Sequence, residues 1–275
     1  MWPSWDQAAV AATVLLLVSL LTRQATGWRR GLSLFTGELS LVAFLYALWQ
    51  LAAFLPLTHN AGAYRRGQQV DRFEMFLHLP SERWAEHLLL NRPLLAKAGN
   101  LFYETVHVPA LLLFLLWLFV RHRDKYGHWR NALAVMTGGC LLIRFVRVAP
   151  PRLMPRLGFV DLAAKYGQSV YGPVGTGISD QYAAMPSIHV AWAALVSFGI
   201  VACSKSRWRY LALLHVTVTM FVVSATANHW WLDGIVSIIL LAIGLLADTA
   251  GRRFATWLRA RRSAAPEPVL EPAAA

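Results

Sequence analysis

The chain has 275 residues, of which 57% are hydrophobic and 15% charged, and its mean hydropathy is +0.45. A water-soluble domain cannot hide that much apolar surface, so the composition excludes one and requires burial in lipid. A formal charge of +12 would suggest nucleic acid in a soluble protein, but here the basic residues fall between apolar runs, which favours topology signals and lipid headgroup contacts and excludes a nucleic-acid partner.

A bilayer core needs about 20 apolar residues per helix. Seven runs qualify as candidates: roughly 7–22, 32–55, 102–120, 132–149, 187–203, 208–227 and 231–249. The first is the shortest. No basic segment precedes it, and Arg23, Arg29 and Arg30 follow it, which predicts a retained anchor with its N-terminus outside. One short loop carries Arg121, Arg123, Lys125 and Arg130; another carries Lys205, Arg207 and Arg209; the tail carries Arg252, Arg253, Arg259, Arg261 and Arg262. All three are expected on the cytoplasmic side. Seven alternating crossings, N-terminus out and C-terminus in, satisfy every assignment.

Two longer segments then lie outside: 56–101, with an expected amphipathic helix, and 150–186, whose Pro and Gly content predicts an irregular loop. The expected fold is an all-α polytopic membrane helix bundle of about seven transmembrane helices. It divides into an anchor and turn at 1–30, a core at 31–250, and a basic tail at 251–275 that composition predicts to be disordered from Ser263 onward. Cys140 and Cys203 both lie inside apolar runs, which argues against a disulfide framework or a thiolate metal site.

Polar residues that a bilayer would reject carry the functional information, because each is costly unless it pairs or works. Under the topology above they gather at the outer ends of four spans: Glu104 with His107; Arg144, Arg147 and Arg152; Ser187 and His189; and His229 and Asp233. In Ala184-Met185-Pro186-Ser187-Ile188-His189, Pro186 suits a first helical position, and the amides after it form an anion site to which Ser187 can add a hydroxyl and His189 a proton. The structural alternative is that Ser187 simply caps the helix. In His229-Trp230-Trp231-Leu232-Asp233, the i, i+4 spacing lets the carboxylate hold one imidazole nitrogen and leave the other as nucleophile or base. A self-satisfying interfacial pair is the bland alternative. A closed metal site would need three or four ligands, and no third carboxylate or thiolate is near in sequence. Arginine forks match phosphate oxygens. Snorkelling to headgroups explains Arg152 easily but Arg144 poorly, since Arg144 is expected about two turns inside its span. His215, in mid-span, reads as a helix-packing hydrogen bonder, and most of the Trp residues read as an interfacial belt.

A basic and Pro-containing segment, then PSxH, then HxxxD, each at the outer end of a span, resembles the type 2 phosphatidic acid phosphatase superfamily over roughly 95–245. Val148-Ala149-Pro150-Pro151-Arg152, Ala184 to His189, and Asn228-His229 are most similar to the branch containing fungal inositol phosphorylceramide synthase and its bacterial relatives. Asn100, Tyr103 and His107 resemble a further pattern of that branch. The chain departs from the superfamily at Ile188, where the pattern has Gly, and at Val223, where it has Arg. The usual Lys followed by Arg-Pro is also missing; Arg144, Arg147 and Arg152 are available to replace that charge.

The resemblance implies a six-helix core plus one N-terminal helix, and phosphoryl transfer through a phosphohistidine with no metal and no cofactor. His229 is then the nucleophile, oriented by Asp233, and His189 the general acid and base. Arg152, Arg147 and Ser187 hold the phosphate, with Arg144, His107, Glu104 and Asn228 in support. The substrate is a membrane lipid phosphate or phosphodiester, and the acceptor is water or a hydroxyl. The implied setting is the cell membrane, with the site extracytoplasmic and the C-terminus cytoplasmic. Two other classes are weighed against it. A lipid or ion transporter predicts broken helices or repeated halves, and the sequence shows neither. A non-catalytic lipid-binding protein predicts loss of a central group, for which Val223 is the only argument.

Overall fold

The computed structural model describes residues 3–52, 61–168 and 181–263. Among these the fold is all-α: α1 (Trp5–Leu21), α2 (Trp28–Ala52), α3 (Ala63–Phe76), α4 (Glu82–Leu90), α5 (Pro93–Thr105), α6 (His107–Arg121), α7 (Arg123–Arg144), α8 (Leu162–Lys165), α9 (Ile188–Cys203), α10 (Leu213–Ala225) and α11 (Trp231–Ser263). The only extended pairing among the described residues is an isolated parallel bridge between Val148 and Ala183.

The seven apolar runs fall mostly on helices, with 102–120 divided between α5 and α6, 145–149 outside any helix and 53–55 outside the described residues, and the seven crossings do not all follow. Trp28–Leu48, Arg207–Ala225 and Trp231–Arg261 are long and apolar enough to span a membrane, and α5 with α6, bent by 45°, makes a fourth if counted as one span. Helix α7 falls short because it ends at Arg144, so only 132–144 of the run expected to reach 149 is helical, and Arg144 is its last residue rather than two turns inside the span; the rest of α7 is the polar stretch that begins at Arg123. Helices α1 and α9 have 17 and 16 residues, short of the ~20 needed for an untilted crossing. These apolar helices are those of a multi-pass membrane protein.

Between helices in lipid there is little hydrophobic drive, so small residues and buried hydrogen bonds decide the packing. Helix α9 runs through the middle of the largest apolar cluster, with Ala191, Ala193, Ala194 and Leu195 fully buried against α6 and α7. A Cβ on Gly199 would sit 2.1 Å from the Phe114 ring, and one on Gly244 would sit 2.8 Å from the carbonyl of Ala132. Only Gly permits the α6–α9 and α7–α11 approaches. Ser197 adds a polar tie, donating to the Ala212 carbonyl at 2.7 Å and accepting from the Val216 amide at 3.2 Å.

The segment 56–101 contains two amphipathic helices, α3 and α4, where one was expected, and its residues 56–60 lie outside the described ones. The described part of 150–186 is mostly irregular, with short 3-10 turns at Pro151–Leu153 and Pro155–Leu157 and the single helical turn of α8; 169–180, with most of the glycines behind the expectation, lie outside the described residues. Helix α11 continues through the basic residues to Ser263; the tail beyond it lies outside the described residues.

Candidate functional site

Backbone hydrogen bonds stitch together three segments far apart in sequence. The amide of Val148 donates to Tyr182, that of Ala184 to Val148, that of Arg152 to Ala227, and that of Ser187 to Asp233. The Trp230 indole, fully buried, donates to the Ala149 carbonyl at 3.0 Å, and Ser237 donates to the carbonyls of Ser187 and Asp233, each at 2.8 Å. The segments bearing Arg147 and Arg152, Ser187 and His189, and His229 and Asp233 therefore form one rigid unit at one end of the bundle.

The turn from α10 to α11 aims His229. Ala227 has φ of 55°, rare for a residue with a Cβ, and the amides of Asn228 and His229 both donate to the Val223 carbonyl. His229 is 5% exposed. Its Nδ1 lies 2.7 Å from the Ala184 carbonyl and 3.3 Å from Asp233 Oδ2. Both partners are acceptors, so in the neutral ring Nδ1 must carry the proton. Nε2 then holds the free lone pair, and it makes no hydrogen bond among the described residues. The expected His229–Asp233 contact is present, yet it is the longer of the two. Asp233, fully buried, also accepts the Trp230 amide at 2.9 Å.

His189 stands on the first turn of α9, with its ring 5.8 Å from that of His229 and 4.1 Å from that of Tyr103. The His107 ring is 5.1 Å away and is itself held between the Tyr103 carbonyl and the Thr219 hydroxyl, both at 3.2 Å. His215 stacks on His107 at 5.8 Å. Among the described residues no three His, Cys, Asp or Glu side chains are grouped so as to hold a metal.

Arg144, Arg147 and Arg152 are all buried, at 8%, 5% and 6% exposed. Arg152 pairs with Asp161 at 3.2 Å, and the Arg147 carbonyl accepts from Arg66 at 2.5 Å. Ser187 is the N-cap of α9, accepting the Val190 amide at 3.4 Å. Pro186 consequently precedes the cap and does not occupy the first helical position expected for it. Asn228 is buried and bonds Thr226 at 2.9 Å, serving the turn rather than touching a histidine. Glu104 is half-buried on α5 and makes no hydrogen bond or ion pair among the described residues. Val223 lies in the apolar cluster with α6 and α9.

Sequence reasoning missed two residues beside the site. Glu74 on α3 accepts the Leu232 amide at 2.6 Å, and Glu82 on α4 accepts the Trp231 amide at 3.1 Å. Both are buried. The available signal was their position on the buried face of an amphipathic helix: Glu82 and Glu86, four apart, alternate with buried Ala85 and Leu89.

A family model described as the PAP2 superfamily matches residues 68–247. No curated protein and no solved structure matches the chain.

Proposed function

The chain belongs to the PAP2 superfamily, which indicates a lipid-phosphatase-like function in a membrane, and from that premise we infer that it transfers the phosphate group of a membrane lipid through a phosphohistidine at residue 229. The observation that carries this reading is the state of the His229 ring: Nδ1 is occupied by two acceptors and Nε2 is left with its lone pair, in a ring whose centre is 5.8 Å from that of His189.

In the first step Nε2 attacks phosphorus, the bond from phosphorus to the leaving alkoxide breaks, and His189 gives that oxygen its proton. In the second, an acceptor hydroxyl attacks the phosphohistidine, the P–N bond breaks, and His189 takes the acceptor's proton. Arg152 and Arg147, with the Ser187 hydroxyl, stabilise the equatorial oxygens. Arg144, buried at the end of α7, supplies positive charge that the chain lacks at Val223.

An apolar cavity of about 290 Å³ supports a substrate with a hydrocarbon chain. It lies between the hairpin of α1 and α2 and the helices α6, α7 and α9, and Trp192 lines it one turn from His189. Loop charges support a site on the extracytoplasmic face of a cell membrane crossed seven times. The likeness to the inositol phosphorylceramide synthase branch, with Ile188 in the PSxH motif, favours a lipid or polyol hydroxyl over water as acceptor.

Mass spectrometry of membrane lipids from cells with and without the gene tests the reading. Loss of a phosphoinositol lipid or phosphosphingolipid is the expected result, and accumulation of a lipid phosphate would make water the acceptor. An unchanged lipid profile, with no phosphate transfer by the purified protein, would overturn it.

A further inference from the structure

The first amides of a helix have no backbone partner within it, and at the start of α11 three consecutive amides each take a carboxyl group, one from α11 itself, one from α4 and one from α3. Trp230 donates to Asp233 at 2.9 Å, Trp231 to Glu82 at 3.1 Å and Leu232 to Glu74 at 2.6 Å. One carboxylate near a helix N-terminus would satisfy its dipole. Three carboxyl groups, each no more than 3% exposed, exceed that need, because burying a charge is costly.

We propose that Glu74 and Glu82 are positioning residues for His229: from two helices outside the membrane they pin the amides of Leu232 and Trp231 and so fix where Nε2 points. This rests on the function proposed above. Burial, and then the neighbouring Glu82 carboxyl, push Glu74 up to about 10, so Glu74 carries its proton at neutral pH; burial raises Glu82 as well. That arrangement lets both carboxyl groups stay buried while each still offers an oxygen to an amide.

The same helix α3 also touches the arginine segment. The Ala63 carbonyl accepts the Ala149 amide at 3.1 Å, and a Cβ on Gly67 would meet the Ala149 carbonyl at 2.9 Å. Helix α3 thus sets the nucleophile's segment and the phosphate-binding segment against one another. A merely structural cap would need no such link.

The test is the rate of phosphoenzyme formation and the KM for a soluble activated phosphate ester, read with the melting temperature, for Gln and Asp variants at each position. Gln keeps the reach of the side chain and cannot ionise; at position 74 its amide can also donate, as the protonated carboxyl does. Asp keeps the carboxyl group but shortens the reach by roughly 1.5 Å. Positioning predicts that Glu74→Gln retains most activity. It predicts that Glu74→Asp and Glu82→Asp lose on the order of 10²-fold in rate with little change in KM, since a displacement of about 1 Å costs that much. Asp variants that outperform Gln variants would assign the pair an electrostatic role. Asp variants with lower melting temperature but wild-type rates would assign a structural one. Either overturns the inference. A wild-type protein that neither labels nor turns over would instead sink the function reading, and this inference with it.

Discussion

The carbonyl oxygen of Ala184 lies 2.7 Å from Nδ1 of His229, closer than the carboxylate of Asp233 at 3.3 Å. Where an Asp alone orients a catalytic histidine, replacing it by Asn costs about 10⁴-fold through the wrong tautomer. Here the carbonyl still selects the tautomer. Asp233→Asn should therefore lower the rate of phosphoenzyme formation by only about 10–10²-fold, while Asp233→Leu, which strands the Trp230 amide, should fall much further. Stopped-flow labelling of both variants decides this. Equal losses would make the carboxylate, and not the carbonyl, the orienting group.

Arg152 is held from two sides, by its backbone amide on Ala227 and its guanidinium on Asp161. Arg152→Lys keeps a charge but loses the planar fork. We expect kcat/KM to drop by about 10²–10³-fold, the usual worth of one transition-state donor, with vanadate inhibition weakened in step. Asp161→Asn should cost far less, because its partner remains. Steady-state kinetics with vanadate titration is the check.

The buried carboxyl groups of α3 and α4 predict a pH dependence of stability. Burial raises Glu86 to about 7 and Glu74 to about 10, against an ordinary 4.5. Groups raised in the folded state bind protons that the unfolded chain has released, so their contribution is complete below about 4.5 and is lost as pH rises through the folded values. Thermal unfolding in detergent should show a lower melting temperature at pH 8.5 than at pH 5.5. Glu86→Gln should flatten the part near neutrality and Glu74→Gln the alkaline part. A melting temperature that rises with pH, or Gln variants with the wild-type slope, would contradict this.

The proposed topology, argued from loop charge, puts the site on the extracytoplasmic side. Both native cysteines are buried, so a single introduced cysteine reports its own side. Cysteine at exposed Arg156 should react with an impermeant thiol reagent in intact cells, and cysteine at exposed Lys205 should not. The reverse pattern would invert the topology.

The motif residues were legible because their chemistry conflicts with a bilayer, which marks His189, His229, Asp233 and the three arginines without any structure. Helical runs were legible from hydropathy, but α7 starts nine residues earlier than its apolar stretch, because helix formation tolerates the charged turns that a membrane window rejects. The Ala184 carbonyl was invisible, since a backbone acceptor has no residue-type signature. Glu74 and Glu82 were hidden by distance: they meet α11 across 158 and 149 residues, and in sequence they look like ordinary charges on a surface helix.

Brief incubation with an activated phenyl phosphate separates His229 as nucleophile from His189 as proton carrier. Acid-labile, base-stable phosphate is expected on the wild-type protein and none on His229→Ala. Label should accumulate on His189→Ala, which can accept phosphate from a good leaving group but releases it about 10²–10⁴-fold more slowly without its general base. Label that persists on His229→Ala, or His189→Ala that releases phosphate as fast as wild type, would contradict these roles.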